Sequence, residues 1–456
     1  MTQCTQSSFS FARHFSRKVA ADFQAGTITS HGGGLLLREV DQRINLIQRF
    51  TACFQDHRDQ TQIEHKLQEL IAQRVYGLVL GYEDVTDHEQ LRKDPLLALL
   101  AGRPDMELLA GKSTLNRLEL GQPKPDRYKK ISYESKAIDA LLVEVFLEAH
   151  PQPPQSIVLD LDVTDLPLHG HQQGRFFHGY YDNYCYLPLY IFCGEHLLGV
   201  RLRTADQDGA AGSVEEVERV VQQIRQRWPQ TVIILRADSG FCREALMSWC
   251  EQQTGVEFVL GLARNSRLRE MIDPQMAEAA WYVSHTTEAV RLFTEFSYQT
   301  ANGSWNRARR VVAKAEQLPD KENPRFVVTS LAAEAWPTQK LYEQLYCARG
   351  EMENRIKEQL SLFADRVSTE TLRSNQLRLY FSALAYVLMQ ALRRLALQET
   401  ELAQAQCCTL RLKLLRIGAV VSLSVRRLYI SLSSSYPYQQ LFRLAYQRLQ
   451  AIPIRC

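Results

Sequence analysis

From Ser156 to Leu262 short apolar runs alternate with helical stretches, and this alternation constrains the fold more than any other feature of the chain. Ser156 to Thr164 reads as a strand, as do Tyr180 to Cys193, Leu197 to Arg203, Thr231 to Leu235 and Val256 to Leu262. Gly194 and Glu195 sit near the turn between two of them. Ser213 to Trp228 and Arg243 to Gln253 have helical spacing, the first opened by a capping box of Ser213 and Glu216. Strands separated by helices need crossover connections, so the segment reads as an α/β domain with at least partly parallel pairing.

The flanks read differently. Asp41 to Ala149 is helical in pattern, with Leu67, Leu70, Ile71, Val75 and Leu78 on one stripe. His150-Pro151-Gln152-Pro153-Pro154 resists helix and sets the first boundary. Residues 18–40, which contain the run His31-Gly32-Gly33-Gly34, alternate loosely and suggest a small hairpin. Between about residues 264 and 345, Ala289 to Phe296, Arg307 to Ala315 and Arg325 to Leu331 alternate, which predicts a β-rich insertion. After Pro337 the pattern is mostly helical. The expected organisation is a mostly helical region over 1–150, a mixed-sheet α/β domain over 151–371 holding the insertion, and a helical region over 372–456.

That last region is basic. It holds 12 Lys and Arg against two acidic residues, leaving 42 basic and 49 acidic residues in the first 371. The whole chain is only +3, so the charge is segregated, and a polyanionic partner is one reading of the tail. A basic helical surface with no partner is the other. The ten cysteines form no CxxC pair, as in a reducing cytoplasm. Met1 to Arg17 lacks the apolar core of a secretion signal. Leu377 to Leu397 is interrupted by Arg378, Ser382, Gln390, Arg393 and Arg394, which suits a buried helix better than a membrane span. A cytoplasmic protein with no membrane partner is expected.

Three acidic positions stand out. In Ile157-Val158-Leu159-Asp160-Leu161-Asp162-Val163-Thr164, residues two apart share a face, so Asp160, Asp162 and Thr164 point the same way. Carboxylates on an apolar strand are costly unless they bind metal, pair or line a cleft; an edge strand with one wet face is the alternative. Val232-Ile233-Ile234-Leu235-Arg236-Ala237-Asp238-Ser239-Gly240 places Asp238 at a strand end, where functional groups gather in α/β sheets, although turn and cap aspartates are common. Tyr346, Arg349, Glu353 and Lys357 are spaced three, four and four apart, giving one polar stripe on a helix. Three carboxylates from two strands and a helix can converge on two Mg²⁺ or Mn²⁺ ions, which take oxygen ligands and serve in-line phosphoryl displacement.

Leu161-Asp162-Val163-Thr164, His169-Gly170-His171-Gln172-Gln173-Gly174, Tyr180-Tyr181-Asp182, Arg236-Ala237-Asp238-Ser239-Gly240-Phe241 and Arg349-Gly350-Glu351-Met352-Glu353-Asn354-Arg355, in this order, resemble the DDE transposases of bacterial insertion sequences, and insertion-sequence family thirteen-eighty in particular. The resemblance runs from about Phe11 into the last hundred residues. It implies an RNase H-like catalytic domain and a metal-binding triad of Asp162, Asp238 and Glu353, with Asp160 as the competing first ligand. It implies Mg²⁺ or Mn²⁺ as cofactor, terminal inverted repeats and target DNA as double-stranded partners, and a homodimer on DNA. A Tyr-x2-Arg-x3-Glu-x6-Lys signature of related enzymes matches at Tyr346, Arg349 and Glu353, which implies DNA contacts from Tyr346 and Arg349. Residue 360 is Leu where that signature has Lys, so the phosphate contact passes to Lys357 or is missing.

Other signals are weaker. Gly111-Lys112-Ser113-Thr114 resembles the end of a phosphate-binding loop, but residue 106 is Met where the motif needs Gly, and the context is helical. His169, His171 and His178 have no standard zinc spacing. Lys112 to Leu120, with Arg92, Lys93 and Arg117, is a candidate helix-turn-helix for end recognition. Trp305 is a candidate to stack on a flipped base, or a packed aromatic. A nuclease of the same fold without strand transfer, and a DNA-binding protein without catalysis, remain as alternatives.

Overall fold

The computed structural model describes residues 8–455, which form two compact units: one runs from Glu134 to Ala383, and the other joins the residues up to Tyr133 with those from Leu384 onward. Among the described residues, no helix is long and apolar enough to cross a membrane.

The first unit is built on one eight-stranded mixed sheet. Its strands are β1 (Ser156–Val163), β2 (Leu189–Cys193), β3 (His196–Arg201), β4 (Val232–Ala237), β5 (Val256–Leu262), β6 (Val290–Tyr298), β7 (Arg309–Gln317) and β8 (Arg325–Thr329), in the spatial order β3-β2-β1-β4-β5-β8-β7-β6. β1, β4 and β5 are parallel; β2 and β3 meander antiparallel on one side, and β8, β7 and β6 on the other. The five strands β3-β2-β1-β4-β5 have the order and directions of an RNase H-like core, as the resemblance implied.

The β-rich insertion begins with helices the alternation did not show, Ser266–Glu270 and Asp273–Thr286, and its three strands extend the same sheet. Arg309 fixes it in place: this buried guanidinium pairs with Glu244 and Glu251, each at 2.7 Å, and stands over the Trp305 ring. Trp305 is itself buried against Tyr298, so it is packed and not presented to a base. The expected strand from Tyr180 to Cys193 is two strands. Asn183–Tyr186 belongs to a separate three-stranded sheet with Leu166–Pro167 and Phe176–His178, and only β2 joins the main one.

Strand periodicity explains the core. Ile157, Leu159 and Leu161 of β1 face the same way as Ile233, Leu235 and Ala237 of β4. They meet α1 (Ser135–Glu148) through Val143, Phe146 and Leu147, and α2 (Ser213–Arg227) through Val217, Val220, Val221 and Ile224. The three- and four-residue spacing of the α2 set makes a single apolar stripe. Burying each such side chain contributes about 1.5–3 kcal/mol. The proline linker at 150–154 lies between α1 and β1 inside this unit.

In the other unit, a hairpin pairs Phe9–His14 with Arg17–Ala21, overlapping only the start of the expected span 18–40, and the His31-Gly32-Gly33-Gly34 run is no part of it. Gly32 and Gly33 donate backbone hydrogen bonds to the carbonyls of Ile417 (2.8 Å) and Leu415 (3.1 Å). A Cβ at Gly33 would stand 1.9 Å from the Leu414 carbonyl oxygen, so the glycines permit a close backbone approach. The short strand Ile28–Thr29 pairs beside them with Ala419–Ser424, which is also hairpinned to Arg427–Leu432; this hairpin interrupts the helical C-terminal region. The helix Lys112–Glu119 buries Leu115 and Leu118 and exposes Lys112, Ser113, Asn116 and Arg117. Gly111 caps it with no strand ahead of it, so the phosphate-loop likeness has no structural counterpart.

Candidate active site

The other face of the sheet carries the acidic residues. On it, Val158, Ile234 and Val259 pack against the helical segment Leu341–Tyr346, which continues through a tight turn into α3 (Gly350–Ser361). The Leu341–Tyr346 segment is a π-helical turn, a local irregularity that recurs at functional sites. By the two-residue period, Asp160 and Asp162 project to this face beyond Val158.

The two aspartates have different fates. Asp160 is almost fully buried, and Arg236 of β4 grips both its oxygens, at 2.5 and 2.7 Å. The third arm of the same guanidinium donates to the Leu345 carbonyl at 2.5 Å. The Asp160–Arg236 pair therefore ties β1, β4 and the Leu341–Tyr346 segment together, with each Asp160 oxygen held by a guanidinium N–H. Asp162 lies one residue pair further out. It accepts from its neighbouring Val163 amide (2.8 Å) and from Arg349 (3.3 Å), and is otherwise unclaimed. Burial pushes its carboxyl up to about 6; Arg349 opposes the rise, and the charges of Asp238 and Glu353 add to it.

Asp238 follows β4, where its Oδ1 accepts from the Gly240 amide at 2.8 Å and caps a short turn. This is the cap role the sequence left open, yet its charge reaches Asp162. Glu353 lies in the first turn of α3, half-exposed, and accepts from Arg349 at 3.3 Å. Arg349 thus bridges Asp162 and Glu353 with its two terminal nitrogens. Lys357 is exposed one turn beyond Glu353. Tyr346 is largely enclosed, and burial raises its phenol. A Cβ on Gly261 would stand 2.6 Å from the Tyr346 hydroxyl and 2.8 Å from the Ser239 amide, so a bare glycine lets these elements meet.

The structure therefore brings Asp162, Asp238, Glu353, Arg349 and Tyr346 to one edge of the sheet. Among the described residues, no three His, Cys, Asp or Glu side chains are close enough to enclose a metal ion as they stand. The donor chemistry nonetheless suits a hard cation: a carboxylate driven toward neutrality by burial, with like charges adding to the rise, and with only an arginine between it and the next acid. His169, His171 and His178 make no such set. Sequence reasoning missed Arg236, which appeared only as part of a motif, and Tyr181, whose phenol is pushed up to about 12 by burial and by Asp165, Asp162 and Asp238. The pair Tyr180-Tyr181 was the available signal for the second.

Comparison with known proteins gives the chemistry a family. No curated protein matches the chain. Among solved structures, a piggyBac transposase synaptic complex with hairpin DNA, determined by cryo-electron microscopy, aligns with a TM-score of 0.40 at 10% identity. The alignment covers 84% of this chain and 80% of that one. The family model of the transposase DDE domain, group 1, by contrast matches residues 11–454, and with the acidic sheet edge lying inside that match the chain is a member of the DDE transposase family.

Proposed function

We propose that this transposase cuts the ends of an insertion sequence and joins them to target DNA at the edge formed by Asp162, Asp238 and Glu353. The observation that carries the reading is the buried, charge-crowded Asp162, coupled to both other acids across three separate elements. Asp162, Asp238 and Glu353 would hold Mg²⁺ or Mn²⁺. Asp160 is excluded as first ligand in this reading because Arg236 occupies both its oxygens. When bound, the ions supply activation of a water or 3′-hydroxyl and stabilisation of the leaving oxygen.

The protein's own groups do the positioning. Arg349 balances the carboxylates and is placed, with Tyr346 and Lys357, to contact the DNA backbone. The exposed Lys112, Ser113, Asn116 and Arg117 of the helix Lys112–Glu119 fit a groove-reading face for terminal repeats. Beside it, Arg127 and Lys130 line a concavity that suits backbone phosphates. Two element ends must be held together, so a homodimer on double-stranded DNA is the proposed active state.

Labelled element-end DNA, target DNA and Mg²⁺ test the reading. Strand-transfer products support it. Cutting without joining assigns a nuclease, and binding without either assigns a non-catalytic DNA-binding protein. Asp238→Ala should remove cleavage and leave DNA binding intact; surviving cleavage means the acids are misassigned.

A further inference from the structure

Next to Asp238 the sheet edge opens into a concavity of about 390 Å³. Ser239, Gly261 and Tyr346 form one side, and Arg264 and Arg325 another. Gly261 holds the Tyr346 hydroxyl and the Ser239 amide within contact of the same backbone point, so the cavity directly adjoins the Asp238 turn. Arg264 follows β5, and Arg325 opens β8, the insertion strand laid against β5.

These two arginines stand apart from those around them. Arg236, Arg309 and Arg310 are saturated by carboxylates and carbonyls. Arg264 and Arg325 are exposed, and among the described residues neither makes an ion pair or a side-chain hydrogen bond. Both line a pocket that also offers a phenol and a serine hydroxyl. Two unspent guanidinium forks with hydroxyl donors suit an anion of several acceptor oxygens, and Arg matches phosphate geometry in particular.

We propose that this pocket seats a DNA backbone phosphate neighbouring the one under attack, making Arg264 and Arg325 positioning residues. The proposal rests on the reading of Asp162, Asp238 and Glu353 as the reaction centre. It also accounts for the insertion, since extending the sheet past β5 delivers Arg325 to the site's rim.

The test replaces single phosphates by neutral methylphosphonates along each strand of the element end and of the target, using the full-length protein with Mg²⁺. In the unmodified protein, one linkage should slow cleavage or joining by about tenfold or more, the worth of a charge-assisted hydrogen bond. Scanning both DNAs identifies which strand supplies it. Arg264→Ala/Arg325→Ala should slow the reaction on unmodified DNA to a similar degree and be indifferent to that linkage, with Arg264→Lys/Arg325→Lys intermediate. The idea is overturned if the double variant matches the unmodified protein, or if its loss and that of the linkage multiply. Asp238→Asn separates the two readings. If it cleaves normally, the reaction centre is wrong, and the phosphate seat then stands or falls on whether the linkage weakens end binding in the unmodified protein but not in the double variant.

Discussion

Asp160 and Asp162 are the same residue type, two positions apart on one strand and one face. The inner one is held by both forks of Arg236 and the Leu345 carbonyl lock behind it, while the outer one has a backbone amide and a single longer contact to Arg349. Depth alone does not separate them, since both are largely buried. The difference lies in how completely each negative charge is answered. A satisfied buried pair fixes elements in register, and an under-satisfied carboxylate stores a demand for a cation.

The contrast breaks most visibly in catalysis. Asp162→Asn should lower cleavage by at least about a thousandfold, roughly 4 kcal/mol of barrier, while the unfolding midpoint holds or rises. A variant that cuts normally would erase the distinction. Next, Asp160→Ala leaves Arg236 charged and buried and should cost about 3–5 kcal/mol of stability in denaturant unfolding. Asp160→Leu/Arg236→Met should restore most of it, because no unpaired charge remains.

A smaller effect sharpens the comparison through pH. Asp162 titrates near 6 in the fold against an ordinary value near 3.8. Between those values the folded protein holds the extra proton, so this group's contribution to stability is greatest at low pH and declines as pH rises toward 6. Above that, ionised Asp162 lessens stability by on the order of 3 kcal/mol. In chelator, the unfolding midpoint of Asp162→Asn should fall less between pH 4 and 6 than that of the parent. Mg²⁺ binding at pH 6 should release about half a proton, read by calorimetry in buffers of different ionisation enthalpy. Glu353→Gln should change stability least, by under about 0.5 kcal/mol, because half-exposed pairs contribute little.

The sequence made part of this visible. Alternation on β1 and four-residue spacing around Glu353 are local rules, and both acids lie where those rules put them. What periodicity could not supply was partnership at distance: Arg236 reaches Asp160 from 76 positions away, on a strand that adjoins β1 only in the folded sheet. The insertion's strands were legible as alternation, but their fusion to β5 is a non-local pairing with no sequence period. The short hairpin Ala419–Leu432 was hidden for a simpler reason, since its alternation sits inside a basic, mostly helical stretch.

The glycine run near the start of the chain sets an order of assembly. Thr29 pairs with Ala419, 390 positions later (419 − 29), and Gly32 and Gly33 lock onto the backbone just before it. At about 5–20 residues per second, a ribosome needs roughly 20–80 seconds to deliver that partner. Glu134 to Ala383 emerges meanwhile as one uninterrupted stretch. The sheet unit can therefore be folded while the other unit still waits for its closing strand, and a chain stopped early would carry the acids without the clasp.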